Sequence, residues 1–260
     1  MHPKQTDPGE RQALILSHVR EMGQGSIDFF ADTLGVTRQT IRRDVNQLCE
    51  LGQLRRVHGG VAAIHGVPLQ YATRRTLNEP PQRRIGAAFS RLVQNRASLA
   101  VSIGTTPEIA VDALVDQTDL TIVTNNLSVA MLSCSREGWN IQVPGGMVRP
   151  SDRDIIGGQV PAFFSRYQVD FGLFGVAGVA EDGTLLDFTD EEVEARLTIR
   201  ENCRCAVLVL DHSKFNRPAH VRGGHITDAD LVICDTAPPD AIRAALAEAG
   251  SELIIAEEVL

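Results

Sequence analysis

Residues 26–61 read SIDFFADTLGVTRQTIRRDVNQLCELGQLRRVHGGV, and their punctuation predicts two short helices, a tight turn between them and a hairpin behind. Ser26 is placed to cap the first helix, with Asp28 near its positive end. Ile27, Phe30, Ala31 and Leu34 supply its buried side. Gly35-Val36 makes the turn and Thr37 caps the second helix, which Gly52 ends. Within it Ile41, Val45 and Leu48 stand at i, i+4 and i+7, forming one apolar stripe. Helix, glycine turn, helix is the helix-turn-helix layout, whose second helix enters the major groove of DNA. A preceding helix is predicted over residues 10–22, with Leu14, Leu16, Val19 and Met22 as its stripe and Gly23 as its stop.

The outward face of the second helix follows from the same geometry. With Ile41 at zero and about 100° per residue, Gln39 falls at about 160°, Arg43 at about 200° and Asn46 at about 140°. Thr40 and Arg42 flank these three, and Arg38 sits at the edge of the first turn. Gln reads adenine and Arg reads guanine through paired hydrogen bonds. Flanking arginines and a helix N-terminus suit phosphates. Leu54-Arg55-Arg56-Val57 and Val61-Ala62-Ala63 read as strands around the turn His58-Gly59-Gly60, a basic wing with His58 as a phosphate neighbour. The expected DNA contacts are Thr37, Arg38, Gln39, Thr40, Arg42, Arg43, Asn46, Arg55, Arg56 and His58.

Charge divides along the chain in the same way. Residues 1–96 carry 14 Lys and Arg against 8 Asp and Glu; residues 97–260 carry 11 against 25, for −8 over the whole 260. A basic N-terminal third on an acidic remainder points to two tasks, one of them facing a polyanion. Apolar residues make up 43% and charged residues 22%, which excludes a disordered chain. No apolar run reaches the length of a membrane span, and residues 1–10 lack the core of a secretory signal, so a cytoplasmic protein is expected. The cysteines (Cys49, Cys134, Cys203, Cys205, Cys234) are odd in number and contain no CxxC pair, against a disulfide framework or a zinc ribbon. Cys203 and Cys205 alternate in an apolar strand pattern and read as buried structural thiols. His65, His220 and His225 lack metal-ligand spacing, and neither metal nor cofactor is expected.

Beyond a connector over residues 64–81, with Pro80-Pro81 as a semi-rigid joint, a helix over 82–93 is predicted to open a second domain, 82–260. The first domain is 8–63. Arginines 74, 75, 83, 84, 91 and 96 either add phosphate contacts or form a solvated face. Strands are predicted over 98–103, 120–124, 141–143, 170–176, 205–210, 231–234 and 253–255, with helices over 107–115, 127–135, 191–202 and 239–249. That alternation means an α/β domain, a mainly parallel sheet covered on both faces. Ligands of such sheets collect beyond the carboxyl ends of the strands. Those ends read Gly104-Thr105-Thr106-Pro107, Thr124-Asn125-Asn126, Pro144-Gly145-Gly146 and Asp211-His212-Ser213-Lys214. Pro107 suits the first helical position and Thr106 its cap, leaving free amides for an anion. Only two lysines, Lys4 and Lys214, stand among 23 arginines. Lys places a compact charge on a phosphate where the fork of Arg is bulkier. The phosphate is expected at Gly104, Thr105 and Thr106 with Lys214 opposite, and ligand hydroxyls near Asn125, Gly145, Gly146 and Asp152. Glu191, Glu192 and Glu194 open a helix whose dipole favours them, and Glu192 has the cleft as an alternative.

Thr40-Ile41-Arg42-Arg43-Asp44 and Arg56-Val57-His58-Gly59-Gly60, together with residues 103–108, 122–127, 145–146, 154–158 and 211–215, resemble the DeoR family of bacterial transcriptional repressors over about residues 10–250. The resemblance implies a sugar-phosphate isomerase-like effector domain, double-stranded operator DNA as partner, and sn-glycerol 3-phosphate as inducer. Ser102 stands where the family usually has Asp, and Arg196 where it has Lys. Another sugar phosphate is the alternative inducer. An isomerase with an accessory DNA-binding module is the alternative function, and it would need acid–base carboxylates such as Asp187, Asp190 or Glu192. One recognition helix reads few base pairs, so a homo-oligomer on inverted half-sites is expected.

Overall fold

The computed structural model describes residues 7–22, 24–51, 53–57, 59–63, 75 and 79–256. The chain divides into two compact units, Met1–Leu69 and Gln70–Leu260.

In the first unit, helix α1 (Pro8–Met22) leads to strand β1 (Gln24–Ser26), then α2 (Ile27–Leu34), α3 (Arg38–Glu50), β2 (Leu54–Val57) and β3 (Gly60–Ala63). Local chemistry sets the boundaries. Ser26 accepts the Phe29 N–H at 3.1 Å and Thr37 accepts the Thr40 N–H at 3.2 Å. Gly35 closes α2 at φ +63°, a conformation glycine adopts without strain. β2 and β3 form the antiparallel wing. β1, unforeseen in the sequence, adds a third strand on the other edge of β3. Gly52 lies outside the described residues; α3 ends at Glu50, with Leu51 as its cap.

The core joins Ile15, Leu16 and Val19 of α1 to Phe30, Ala31, Ile41, Val45, Leu48, Leu54 and Val61. The expected α1 stripe is corrected here, because Leu14 is exposed and Ile15 is buried. Arg11 is the reason. Its guanidinium is drawn inward by Asp44 of α3, with Nε–Oδ2 at 2.5 Å and Nη2–Oδ1 at 3.1 Å. Both side chains are over nine-tenths buried, at 7% and 5% exposure. The inward face of α1 is therefore Arg11, Ile15, Leu16 and Val19, with Leu16 and Val19 buried as expected.

The second unit begins with α4 (Glu79–Ser90). Pro80 and Pro81 lie in its first turn and do not form a separate joint. The first N–H groups of a helix have no internal partner, so proline loses nothing there. Then follow β4 (Ser98–Val101), α5 (Thr105–Asp112), β5 (Thr121–Thr124), α6 (Leu127–Cys134), β6 (Asn140–Gln142), β7 (Met147–Arg149), β8 (Asp154–Ile156), α7 (Gln159–Phe164), β9 (Val169–Phe174), β10 (Gly178–Val179), β11 (Thr184–Asp187), α8 (Asp190–Glu201), β12 (Cys203–Leu210), β13 (Val221–His225), β14 (Leu231–Cys234), α9 (Asp240–Ala249) and β15 (Glu252–Ile255).

Seven of these strands make one parallel sheet in the order β15-β14-β12-β9-β4-β5-β6. Side chains alternate across it. Leu99, Val101, Leu173, Val207 and Val209 face a core with α4, α5 and α6. Ala100, Phe174, Ala206, Leu208 and Leu210 face a second core with α7, α8 and α9. Cys203 packs on one core and Cys205 on the other, as their alternation requires, but each is only half-buried because β12 begins at the sheet's rim. The β7–β8 hairpin and the small antiparallel sheet β10-β11-β13 stand apart and were not foreseen. The sheet reverses direction of winding between β4 and β9, and that is where an open α/β sheet leaves a crevice. Among the described residues no helix is long and apolar enough to cross a membrane.

Candidate DNA-reading face and ligand cleft

With Ile41, Val45 and Leu48 buried, α3 turns Gln39, Arg42 and Arg43 to solvent. Other residues expected on this face are already engaged. Thr37 and Thr40 join their hydroxyls at 2.9 Å in the cap. Arg38 pairs with Asp28 at 2.8 Å, both largely exposed, an arrangement worth about 0–1 kcal/mol and open to exchange for a phosphate. Arg56 of the wing donates to the Asn46 side chain, tying wing to recognition helix. The backbone of Arg55 pairs with Ala62 in the wing. The Arg55 side chain and His58 lie outside the described residues.

In the second unit, a cleft of about 520 Å³ opens at the β4–β9 reversal. Its walls include Gly104, Thr105 and Thr106 after β4, Val176 after β9, and Lys214 and Arg217 after β12. The structure thus brings Gly104, Thr105, Thr106 and Lys214 together. The helix start differs from the expectation. α5 begins at Thr105 with Gly104 as its cap at φ +121°, and no side chain caps it. Pro107 therefore occupies the third position and Thr106 is not the cap. The first amides of α5 thus lie at the cleft without a side-chain cap.

Asn125 lies in an adjoining recess of about 340 Å³ that shares Ile103 and Glu192 with the cleft. Its Nδ2 donates to the Ile155 carbonyl at 3.1 Å, while its buried Oδ1 has no hydrogen-bond partner among the described residues. Ser102 also lines this recess, so no carboxylate stands at that position. Thr124 and Asn126 hold the strand ends in place: Thr124 Oγ1 donates to Val101 O at 2.7 Å and Asn126 Nδ2 to Gly104 O at 3.3 Å. Gly145, Gly146 and Asp152 line neither space. A Cβ on Gly146 would meet Ile155 and Ile156 at 2.8 Å, so this glycine serves the hairpin. Asp152 faces Arg149 at 3.5 Å.

Two positioning residues escaped sequence reasoning. Arg149 gathers Asp154 at 2.8 Å and Glu192 at 2.9 Å, so the cleft-lining carboxylate of Glu192 is neutralised from the β7–β8 hairpin. Burial raises the Glu192 carboxyl and Asp187 adds to that, with Arg149 opposing. Gln82 of α4, only 1% exposed, donates towards Thr105 Oγ1 at 3.3 Å and Asp211 Oδ2 at 3.4 Å. Burial presses the Asp211 carboxyl upward, yet Lys214, Ser213 and Gln82 together hold it below the ordinary carboxylate range. Asp187, a candidate acid–base group, is clasped by Arg196 at 3.1 and 2.7 Å and accepts the Ala177 N–H at 3.1 Å. It has the partners of a structural carboxylate.

Glu108, one turn into α5, is buried beside Arg75 at 3.3 Å. Burial pushes its carboxyl up to about 7; Arg153 pulls it down and Asp112 raises it further. The folded state therefore keeps a proton that the unfolded chain releases at the ordinary carboxylate pKa. Stability from this group is fully present at low pH and falls as pH rises towards about 7. The melting temperature of Glu108→Gln relative to wild type is expected to rise between pH about 5 and pH about 8. A constant difference across that range would show that Glu108 titrates normally.

Comparison with known proteins fits both halves. The profile of the DeoR-like helix-turn-helix domain matches residues 11–67, and that of the DeoR C terminal sensor domain matches residues 78–236. The glycerol-3-phosphate regulon repressor of Escherichia coli (strain K12) is 37% identical over 240 residues, 92% of this chain and 95% of that protein. The glycerol-3-phosphate regulon repressor of Haemophilus influenzae is 38% identical over 229 residues, 88% of this chain and 89% of that protein. Among solved structures, ribose 5-phosphate isomerase A from Methanocaldococcus jannaschii covers 53% of this chain and 55% of its own, at TM-score 0.39 and 16% identity, a likeness too loose to carry an argument.

Proposed function

This chain belongs to the DeoR family of DNA-binding transcriptional repressors, and we propose that it represses genes of glycerol-3-phosphate metabolism until sn-glycerol 3-phosphate releases it from its operator. The observation that carries this reading is the cleft at the β4–β9 reversal, where the start of α5 and Lys214 face one space. A phosphate dianion suits that pair: open amides at a helix N-terminus on one side and a compact cation on the other. The unpartnered Asn125 Oδ1 in the adjoining recess suits a ligand hydroxyl. Release follows if the ligand prefers a state that fits the operator poorly, since only differential affinity shifts an equilibrium. The relatives named for the glycerol-3-phosphate regulon support the choice of effector.

One observation favours a second reading. Ser102 leaves the recess next to Asn125 without the carboxylate usual in the family, a change of polarity that suits another sugar phosphate. Titrating labelled operator with protein, then with sn-glycerol 3-phosphate and a panel of sugar phosphates, separates the two. Release by sn-glycerol 3-phosphate at the lowest concentration is the expected result; preferential release by another sugar phosphate overturns the effector and leaves the repressor standing.

On the DNA side, Gln39 and Arg43 are the base-reading residues of this proposal, with Arg42 and the wing on phosphates. Arg43→Ala is expected to cost about 1–3 kcal/mol in operator binding and relax preference at one operator position. Competition against operators changed one base at a time checks it. Wild-type affinity in a folded Arg43→Ala protein would place the reading residues elsewhere on α3.

A further inference from the structure

The two spaces at the strand ends carry opposite charge. Lys214 and Arg217 line the cleft, where Arg196 clasps Asp187. The recess is lined by Asp154, Glu191, Glu192 and Glu194 and, among the described residues, by no Lys or Arg. Glu191 and Glu194 are exposed, so water and salt screen them. Asp154 and Glu192 are withdrawn, with side chains 1% and 11% exposed. Arg149 of the β7–β8 hairpin lies 2.8 Å from Asp154 and 2.9 Å from Glu192, and one guanidinium balances only one of the two carboxylates. It is shared further with Asp152 at 3.5 Å. Burial raises the carboxyls of both Asp154 and Glu192. The same lack of solvent leaves any further negative charge there poorly screened.

The hydrogen-bonding groups of the recess have the matching polarity. Asn125 is 3% exposed, and its Oδ1 is an acceptor with no hydrogen-bond partner among the described residues. Glu192 meets Arg149 through Oε1 and accepts the Phe188 N–H through Oε2 at 3.2 Å, which uses two of the about four lone-pair sites of a carboxylate. Ser102 Oγ donates to the Ile103 carbonyl at 3.1 Å and keeps its lone pairs. A ligand end that fits these groups brings donors and no negative charge. We propose that Glu192, held by Arg149 and backed by Asp154, is the charge filter of the effector site: the recess accepts the neutral, hydroxyl-bearing end of a phosphate monoester and rejects an end that carries a carboxylate or a second phosphate. The filter depends on a phosphate seated in the cleft, the premise of the effector reading, and it narrows what the rest of the ligand can be. Specificity of this kind is built by repulsion as much as by contact. A hydroxymethyl end donates to Asn125 Oδ1 or to Glu192. A carboxylate in the same place brings no proton and sets like charges side by side where solvent is excluded.

The experiment is calorimetric titration of the full-length protein with sn-glycerol 3-phosphate and with the 3-phosphoglycerate of matching configuration, which carries a carboxylate in place of the hydroxymethyl group. Wild type is expected to bind the alcohol about a hundredfold more tightly than the acid. Glu192→Gln keeps the size of the side chain and an acceptor for the Phe188 N–H, and should reduce that preference by about tenfold or more. Ser102→Asp, which adds a carboxylate to the recess, should widen it. Glu248→Gln removes the same charge from an exposed site on α9 and should leave the preference as in wild type. The readout is the ratio of two affinities in one protein, because a loss of structure weakens both ligands together. Equal affinity for alcohol and acid in wild type, a Glu192→Gln protein with the wild-type ratio, or a Ser102→Asp protein with a narrower one overturns the proposal. So does a Glu248→Gln protein that changes as Glu192→Gln does, since net charge and not the recess would then set the preference. If neither compound binds and a sugar phosphate does, the glycerol phosphate reading fails, and that sugar phosphate against its aldonic acid phosphate decides the filter by the same outcomes. If no phosphate monoester binds, the filter falls together with the cleft.

Discussion

Replacing Asp44 with Ala is expected to unfold the helix-turn-helix unit near physiological temperature and abolish operator binding, while the α/β unit stays folded. Asp44 lies on α3 but not on its reading face; it sits beneath, with both carboxylate oxygens on Arg11. Removing it takes both carboxylate oxygens away from a buried guanidinium. Breaking a buried pair from one side typically costs about 3–5 kcal/mol. The unit has a small core, ten buried apolar residues among those described, and is expected near the low end of domain stabilities, about 5 kcal/mol. The loss is therefore most of what holds it. Calorimetry should show the transition of this unit shift down or vanish and that of the α/β unit remain, with the effector still bound. Removing both charges, as in Arg11→Met with Asp44→Leu, should restore folding, because an apolar pair of similar volume carries no desolvation cost. An Asp44→Ala protein that binds operator like wild type would falsify this account of the pair.

The parts of this molecule that could be read from its sequence are those governed by neighbours in the chain. Ser26, Gly35 and Thr37 mark helix ends through bonds three or four residues long, and they fall as predicted. Strands β4 and β14 and the second half of β12 are near-continuous apolar runs because both of their faces are covered. What escaped depends on distant partners. Asp44 occupies a buried position on α3, yet an acidic residue reads as surface unless Arg11, 33 residues away, is known to face it. Gln82 reaches Asp211 across 129 residues, and nothing local marks it. Arg149 looks like any arginine beside a glycine turn until the hairpin carries it against Glu192. The strand-end residues Gly104, Thr105, Thr106 and Lys214 were legible because the topology of a parallel sheet brings such ends to one edge. Gly145 and Gly146 followed from the same rule and, like Asp152, do not reach the cleft, since β6 is the edge strand and the chain leaves it for the hairpin.

Lys214→Gln is expected to give a protein that binds operator normally and is not released by sn-glycerol 3-phosphate. The side chain has two neighbours to satisfy: it lines the cleft with Gly104, Thr105 and Thr106, and its charge helps to keep Asp211 ionised. Removing it therefore has two separable consequences. The ligand phosphate loses a charge-assisted contact worth about 1.5–3 kcal/mol, up to about a hundredfold in affinity. Asp211 keeps its bonds from Ser213 and Gln82 but moves up towards the ordinary carboxylate range, a modest stability change visible without ligand. Lys214→Arg separates the two, because it leaves a cation beside Asp211 and alters only the shape offered to the phosphate. Thermal melts without ligand should therefore rank Lys214→Arg close to wild type, with Lys214→Gln lower, whereas effector-induced stabilisation should shrink in both and most in Lys214→Gln. Linkage requires operator DNA to weaken effector binding to wild type by the same factor by which effector weakens operator binding. That factor should persist in Lys214→Gln once ligand is raised enough to bind, because the substitution removes affinity and not the coupling between states. Release of Lys214→Gln at the wild-type ligand concentration would mean that Lys214 serves only Asp211, and the phosphate would then have to rest on the amides of α5 and on Arg217.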